Sequence, residues 1–349
     1  MPPTPQSPEA ERAGSKPPTL GLALSGGGVR GLAHLGVLQV LEAEGITIDG
    51  MAGTSMGGLI AGVYAAGTPL EEIISAATQA GLLSFAAPDG TWRGLFGHRK
   101  MKTFLRDLVG GDEIRFEDLD IPTAVVAVDI ESGEMVILDH GPLIPALLAT
   151  AAFPIVFSPV HHQGRWLVDG GVLNNLPVDI VRMMGVDRVL GVDVPPSLDV
   201  PLAQRHQRGL SARGLFSFNN QRTRDWKLPF LIAETSVGIT ASCINETRQA
   251  LCPPDFMLTI RQPNVGIFAT DKSTKIIEAG RNVANANRTA LRALKSAPLA
   301  PPWQRRLRSW IRRMRQAWRV LHAPDYQLYP QCVADGSRII GDNGKGPGR

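Results

Sequence analysis

The chain has 349 residues, of which 44% are hydrophobic, 19% charged and 6% aromatic. That suffices for one large domain or two ordinary ones around a sizeable core, and it excludes a chain disordered throughout. Three cysteines, Cys243, Cys252 and Cys332, exclude a disulfide scaffold, offer no zinc-site spacing and fit a reducing compartment. The formal net charge of +4 is unevenly placed, because seven arginines and no acidic residue lie between Lys295 and Asp325. The basic character therefore belongs to a local docking element.

Residues 1–19 are rich in Pro, Ser, Ala and charge, hold no apolar run for a signal peptide, and are expected to form a disordered leader. From Leu20 onward, short apolar runs alternate with helical periodicity, the pattern of βα units around a mainly parallel sheet. The predicted elements are strand Leu20–Leu24, helix Gly31–Glu44, strand Gly50–Gly53, a small-residue helix Met56–Ala66 and helix Pro69–Leu82. Strands Thr123–Asp129 and Glu134–Asp139 follow, joined by a tight turn at Ser132-Gly133, then helix Pro142–Ala149, strand Arg165–Val168, helix Pro177–Met184 and strand Arg188–Val194. Residues 195–229, with their arginines and the apolar island Leu215–Phe218, read as a long loop or lid. Phe256–Arg261 reads as a returning strand. Residues 271–296 read as one helix, with Ile276, Val283, Ala290, Leu291 and Leu294 packing back on the sheet. Two uncharged stretches, Gly50–Leu70 and Gly141–Gly164, have the length of membrane spans, but their glycines and prolines make them buried elements of an α/β core.

Three glycine turns carry the chemistry. Gly26–Gly31 reads GGGVRG between a strand and a helix, and Gly26, Gly28 and Gly31 match GxGxxG, with Asp49 at a plausible distance for a ribose-binding acid. A dinucleotide site is thus the first hypothesis to weigh. What the glycines supply is less specific, a backbone whose N–H groups face an anion beside a helix, and a pyrophosphate or an acyl-transfer oxyanion satisfies it equally. Gly53-Thr54-Ser55-Met56-Gly57 is GxSxG in the strand–turn–helix setting of a nucleophile elbow, and a dinucleotide reading leaves it unexplained. Val168-Asp169-Gly170-Gly171 ends a strand with an acid and two glycines, and standing alone it would be an ordinary Asp-Gly turn.

A serine nucleophile needs a base, and the seven histidines supply no obvious candidate. His34 lies inside the first helix and reads as structural, His98 and His140 fall in loops, and His161 and His162 read as solvated residues before the strand to Asp169. His206 and His322 follow Asp169, as a Ser-Asp-His order demands, but no positioning motif surrounds either.

In this order, GGGVRG, GTSMG and DGG resemble the motifs of the patatin-like phospholipases, as do GVYAAG after the elbow, AAFPIVFSPV before the acid and NNLPV after it. The resemblance runs from Leu20 to Val194, and DFMLTIRQP…IIEAG looks like the C-terminal part of bacterial members. Thr150 stands where that family usually carries a small serine. The resemblance implies a three-layer α/β sandwich with a central, mostly parallel sheet. It implies a dyad without histidine, Ser55 as nucleophile and Asp169 as proton acceptor, with an oxyanion-binding loop at Gly26, Gly27 and Gly28. The implied activity is hydrolysis of a carboxylic ester in a lipid through an acyl-enzyme, with no metal or organic cofactor. The residues agree, since burial beside Leu167 and Val168 would raise the basicity of Asp169. Arg30 reads as a structural ion partner of the loop in preference to a phosphate-recognising charge. The alternatives are a Ser-Asp-His esterase of the α/β-hydrolase type using His206 or His322, and a catalytically idle membrane-docking protein, against which the intact Ser55 and Asp169 count.

Near the C-terminus, Trp303, Leu307, Trp310, Ile311, Met314, Trp318 and Leu321 recur at helical spacing, with Arg305, Arg306, Arg308, Arg312, Arg313, Arg315 and Arg319 between them. A Trp/Leu face opposite an Arg face predicts an interfacial helix on an anionic membrane surface. A helix packed on its own domain is the competing reading, and no nucleic acid is expected, because no recognised nucleic-acid fold accompanies the arginines. The expected organisation is a leader (1–19), a catalytic core (20–194), a loop or lid (195–229), a part completing the core (230–298), a basic amphipathic helix (299–322) and a flexible tail (323–349), in a cytoplasmic protein peripheral to a membrane.

Overall fold

Short buried strands alternate with helices from the first element onward. The computed structural model describes residues 17–79, 97–195, 224–262, 265, 272–297 and 314. Its elements begin with β1 (Leu20–Leu24), a 3-10 helix (Gly28–Leu32) continuing into α1 (Ala33–Ala43), β2 (Gly50–Thr54), α2 (Met56–Ala65), α3 (Leu70–Gln79) and α4 (Arg99–Val109). They continue with β3 (Thr123–Asp129), β4 (Met135–Leu138), α5 (Leu143–Thr150), β5 (Val160–His162), β6 (Arg165–Asp169), α6 (Val178–Met183) and β7 (Arg188–Asp193). After them come α7 (Arg224–Leu251), β8 (Phe256–Thr259), α8 (Ser273–Ala286) and α9 (Arg288–Ser296).

The strands form one sheet in the order β5-β6-β3-β2-β1-β7-β8, with β4 pairing to β3 off this path. β3, β2, β1, β7 and β8 run parallel, while β4 and β6 run antiparallel to β3. Period-two alternation divides the core between the two faces. Leu20, Leu22, Leu24, Met51, Val125, Ala127, Leu190 and Val192 point to one face, where they meet α1, α2, α5 and α8. Ala23, Ala52, Ala124, Val126 and Val189 point to the other, beneath Leu176 and the Val178, Ile180 and Val181 side chains of α6. The result is a three-layer α/β sandwich with a mostly parallel sheet, the fold class the sequence implies. Reversal of connection direction around β1, which has β2 on one side and β7 on the other, puts the end of β1 at the topological switch point where α/β sheets bind ligands.

Several expectations need correction. Residues 271–296 are two helices, not one: Asn287 leaves the helical region (φ −113°, ψ 15°), and its Nδ2 donates to Val283 O at 2.8 Å, a side-chain bond that competes with the helical ladder. α8 packs chiefly on α1, so closely that a Cβ on Gly36 would lie 2.0 Å from Ile277 O and one on Gly280 would lie 1.9 Å from Ala33 O. The loop expected at 195–229 is already helical from Arg224, and residues 196–223 lie outside the described part. The leader expected at 1–19 ends too late, since Thr19 bonds Asp187 through both its N–H and its hydroxyl, each at 3.0 Å; residues 1–16 lie outside the described part. α4 and α7 fall on stretches to which the sequence assigns no helix. The stretch Gly50–Leu70 holds β2 and α2, and Gly141–Gly164 holds α5 and β5; among the described residues no helix is long and apolar enough to cross a membrane.

Candidate active site

Strand β3 brings the two key turns together. Thr54, the last residue of β2, lies opposite Val126, and Asp169, the last residue of β6, lies opposite Ala127. Consecutive residues of one strand therefore fix where the elbow and the acid turn emerge. Ser55 sits at φ 54°, ψ −127°, a strained conformation for a residue with a side chain and the mark of a nucleophile elbow. The flanking glycines are required by space. A Cβ on Gly53 would lie 2.3 Å from Gly57 O, and one on Gly57 would lie 2.4 Å from Leu24 O. The Ser55 N–H donates to Thr150 Oγ1 at 3.0 Å, and that hydroxyl donates to Val126 O at 2.6 Å. Thr150 thus anchors the elbow to β3 through its hydroxyl.

Asp169 is 2% exposed. Its Oδ1 accepts from Gly171 N at 2.8 Å, and Gly170 is pressed against β3 so that a Cβ there would lie 2.3 Å from Val126 O. Burial lifts its pKa from 3.8 to about 6, with hydrogen bonding from Ser55 and from the Gly171 N–H pulling it back down. Oδ1 carries the turn, and Oδ2 has no well-formed partner, which leaves Oδ2 as the oxygen available to the serine proton. A carboxyl poised near neutrality beside a strained serine is a competent base.

The glycine loop forms the third side. Gly26 is buried, and its N–H donates to Asn175 O at 3.0 Å. This N–H is already engaged, so Gly26 is better placed as a hinge of the loop than as an anion donor, a narrowing of the expected Gly26, Gly27 and Gly28 set. Gly27 and Gly28 are partly exposed, and among the described hydrogen bonds neither N–H has a partner. Gly28 takes φ 57°, which favours glycine. Gly31 abuts the elbow helix, where a Cβ would lie 2.5 Å from Met56 Cγ, so its place in GxGxxG serves packing. Behind the loop, His34 is wholly buried, its Nε2 bonds Ser25 O at 2.8 Å, and burial drops its pKa to about 4; the ring is neutral and structural. Arg30 is 7% exposed, donates to Val265 O at 3.3 Å, and lies near Asp193, whose pKa burial raises, with Ser25, Arg261 and, more weakly, Arg30 pulling it the other way.

The ribose-acid expectation for Asp49 fails on position. Its Oδ2 accepts from Leu20 N at 2.7 Å and pairs with Lys295, at the start of β1, whereas the glycine loop follows the end of that strand, about 13 Å away at 3.3 Å per residue. His161 and His162 lie on β5, where His161 packs on Trp166 and His162 is buried rather than solvated. His98 caps α4 and bonds Ser158 O at 2.6 Å, and His140 pairs with Asp139. None of these histidines is among the groups that set the Asp169 pKa. His206, His322 and the tryptophan–arginine stretch 303–321 lie outside the described residues, apart from Met314. The sequence assigns no role to Asn175, which falls in the NNLPV flank of the acid turn; its contact with Gly26 spans 149 positions.

An apolar pocket lies next to the glycine loop and the start of α2. It is walled by Val29 and Leu32 behind the glycine loop, Met56 and Leu59 at the start of α2, and Phe104 and Leu108 of α4.

Residues 22–182 match the family model described as patatin-like phospholipase. An uncharacterised NTE family protein of Mycobacterium tuberculosis is 39% identical over 184 residues, 52% of this chain and 50% of that protein. Lysophospholipase NTE1 of Mycosarcoma maydis is 33% identical over 184 residues, 50% of this chain and 10% of its own length. The chain thus spans about half the length of the first of these relatives, and far less of the second. VipD from Legionella pneumophila is similar in structure with a TM-score of 0.49 at 14% identity, over 79% of this chain and 67% of VipD. Through residues 22–182, which hold the glycine loop, the elbow and the acid turn, the chain carries a domain of the patatin-like phospholipase family.

Proposed function

We propose that the protein hydrolyses a carboxylic ester of a lipid, with Ser55 as nucleophile and Asp169 as base. The observation that carries this reading is the pairing of a serine at positive φ with a buried carboxyl whose pKa is about 6. Asp169 Oδ2 takes the hydroxyl proton as Ser55 Oγ bonds to the ester carbonyl carbon. The carbonyl oxygen becomes an oxyanion facing the N–H groups of Gly27 and Gly28 and the N-terminus of α2, and losing one such donor typically costs about 3–4 kcal/mol of barrier. Collapse breaks the ester C–O bond, and the alcohol leaves with the proton held by Asp169. Water, deprotonated by the same carboxylate, then attacks the acyl-enzyme, releasing the fatty acid and restoring Ser55.

A lipid ester is favoured over a small polar one by the apolar pocket beside Met56, which removes an acyl chain from water at about 0.8 kcal/mol per methylene. The name of the lysophospholipase relative points the same way. The basic stretch 299–322 completes the reading as the element that docks the enzyme on an anionic lipid surface through Trp303, Trp310, Trp318 and the intervening arginines. Incubating wild type and Ser55→Ala with a mixed lipid extract, and identifying released products by mass spectrometry, tests the proposal. Free fatty acid and a matching lyso-lipid or alcohol should appear with wild type alone; equal release by both proteins, or by neither, refutes it.

A further inference from the structure

The three glycine turns come from distant parts of the chain, and one short segment bonds to all of them. Asn174 N donates to Gly170 O of the acid turn at 2.9 Å, and Asn175 O accepts from Gly26 N of the glycine loop at 3.0 Å. Asn174 O accepts from Thr54 Oγ1, next to the nucleophile, at 2.8 Å. Asn174 is itself buried and held, its Nδ2 donating to Asp179 Oδ1 at 2.9 Å. Asn175 differs. Its amide is half-buried and lies among the reacting groups: Nδ2 donates to Gly26 O at 3.3 Å, and a Cβ on Gly26 would lie 2.5 Å from Asn175 Oδ1 and 3.0 Å from Ser55 Cβ. On the opposite side a Cβ on Gly171 would lie 3.0 Å from the same Oδ1.

Peptide planarity turns these bonds into a direction. The Ser25–Gly26 peptide is held at both ends, its C=O by His34 Nε2 at 2.8 Å and its N–H by Asn175 O. In the next peptide, Gly26 C=O is held by Asn175 Nδ2. The C=O and N–H of a trans peptide point in opposite directions, so the Gly27 N–H must face away from Asn175. A glycine peptide has no side chain to set its orientation, so nothing local to Gly26 and Gly27 would prevent it from flipping.

We propose that Asn175 is the positioning residue of the anion-binding loop, its amide pinning the Gly26 carbonyl so that the Gly27 N–H is aimed where the oxyanion develops. The proposal rests on Ser55 being the nucleophile. It calls for a donor at this place: an aspartate of the same shape would set a carboxylate oxygen against Gly26 O and a second negative charge close to Asp169. Such a role acts on the transition state and not on substrate binding, so its loss should appear in kcat.

The test compares full-length wild type, Asn175→Ala, Asn175→Asp and Ser55→Ala on a soluble p-nitrophenyl ester. A trifluoromethyl ketone, whose serine adduct is a tetrahedral oxyanion, serves as the transition-state probe. Asn175→Ala should lower kcat by about 30-fold while KM stays within about threefold, and should weaken the ketone by a similar factor, a partial loss of the effect of one oxyanion donor. The isosteric Asn175→Asp should lose at least as much, in a protein still folded at the assay temperature. Unchanged kcat in both variants overturns the proposal, as does a rise in KM alone or a fall in kcat without loss of ketone affinity. Activity surviving in Ser55→Ala would refute the nucleophile reading, whereas an inactive Ser55→Ala beside a fully active Asn175→Ala would refute the positioning role by itself.

Discussion

Burial of Asp169 lifts its pKa from 3.8 to about 6, so above that pH the fold carries a carboxylate that water no longer solvates. A native pKa above the unfolded one means that the native state binds the extra proton between these values. Stability therefore falls as pH rises from about 3.8 to 6 and stays lower beyond, by about 3 kcal/mol. Asp169→Asn keeps the shape and removes the charge, and should abolish ester hydrolysis while raising thermal stability at pH 7.5, a gain that vanishes near pH 4. Melting curves at the two pH values check this; an equal gain at both would mean that the carboxylate is not strained by burial. His34 has the opposite sign. Its pKa of about 4 lies below the unfolded 6.5, so the stability it shares in is lost as pH falls from 6.5 toward 4. At this scale Ser55 and Asp169 are legible because each sits inside a short motif whose glycines are needed for space. Thr150 and the NNLPV flank stand out in the sequence, but what Asn175 and Thr150 do does not, because their partners, Gly26 and Val126, are far along the chain and meet them only after the sheet has formed.

Among the elements, α1 and α8 show how little room the core leaves. Alanine is normally preferred to glycine inside a helix by about 1 kcal/mol, but a Cβ on Gly280 would sit 1.9 Å from Ala33 O. Backbone cannot yield that much without displacing α1, so overpacking, typically 1–3 kcal/mol, outweighs the propensity gain. Gly280→Ala should lower the urea midpoint, and it should also reduce turnover, because α1 carries the His34 that holds Ser25 O. A neutral or stabilising effect on the midpoint would contradict the close packing. The parallel strands are readable at this scale, since burial on both faces leaves apolar runs bounded by glycine; β5, with only Val160 apolar beside His161 and His162, is not. α7 was not: it is built from Thr, Ser and Ile, poor helix formers, and its Ser236, Thr240 and Thr247 hydroxyls donate back to Ile232 O, Ser236 O and Cys243 O within the helix. α4 has a regular apolar face, with Met101 and Leu105 buried, but charged residues crowd its short length.

For the molecule as a whole, the glycine turns are proposed to provide the chemistry, the apolar pocket an acyl site, and the tryptophan–arginine stretch the means of bringing them to a surface. Removing residues 299–349 should weaken binding to anionic vesicles and slow hydrolysis of vesicle lipids while sparing a soluble ester, since Gly26–Gly31, Ser55 and Asp169 all precede it. Added salt should weaken wild-type binding, because charge is screened beyond about 10 Å at 0.1 M; the part that survives salt should disappear when Trp303, Trp310 and Trp318 become alanine. Parallel loss of soluble-ester activity, vesicle activity and melting temperature on truncation would instead identify the stretch as part of the fold.

The central claim, a Ser55 nucleophile activated by the Asp169 carboxylate, is tested most directly by covalent labelling with a fluorophosphonate followed by peptide mass mapping across pH. The account predicts one adduct, on Ser55, forming at a rate that rises through a midpoint near pH 6 and falls by at least about 100-fold in Asp169→Asn. Labelling at another residue, or a Ser55 rate that ignores both pH and the loss of Asp169, would contradict it.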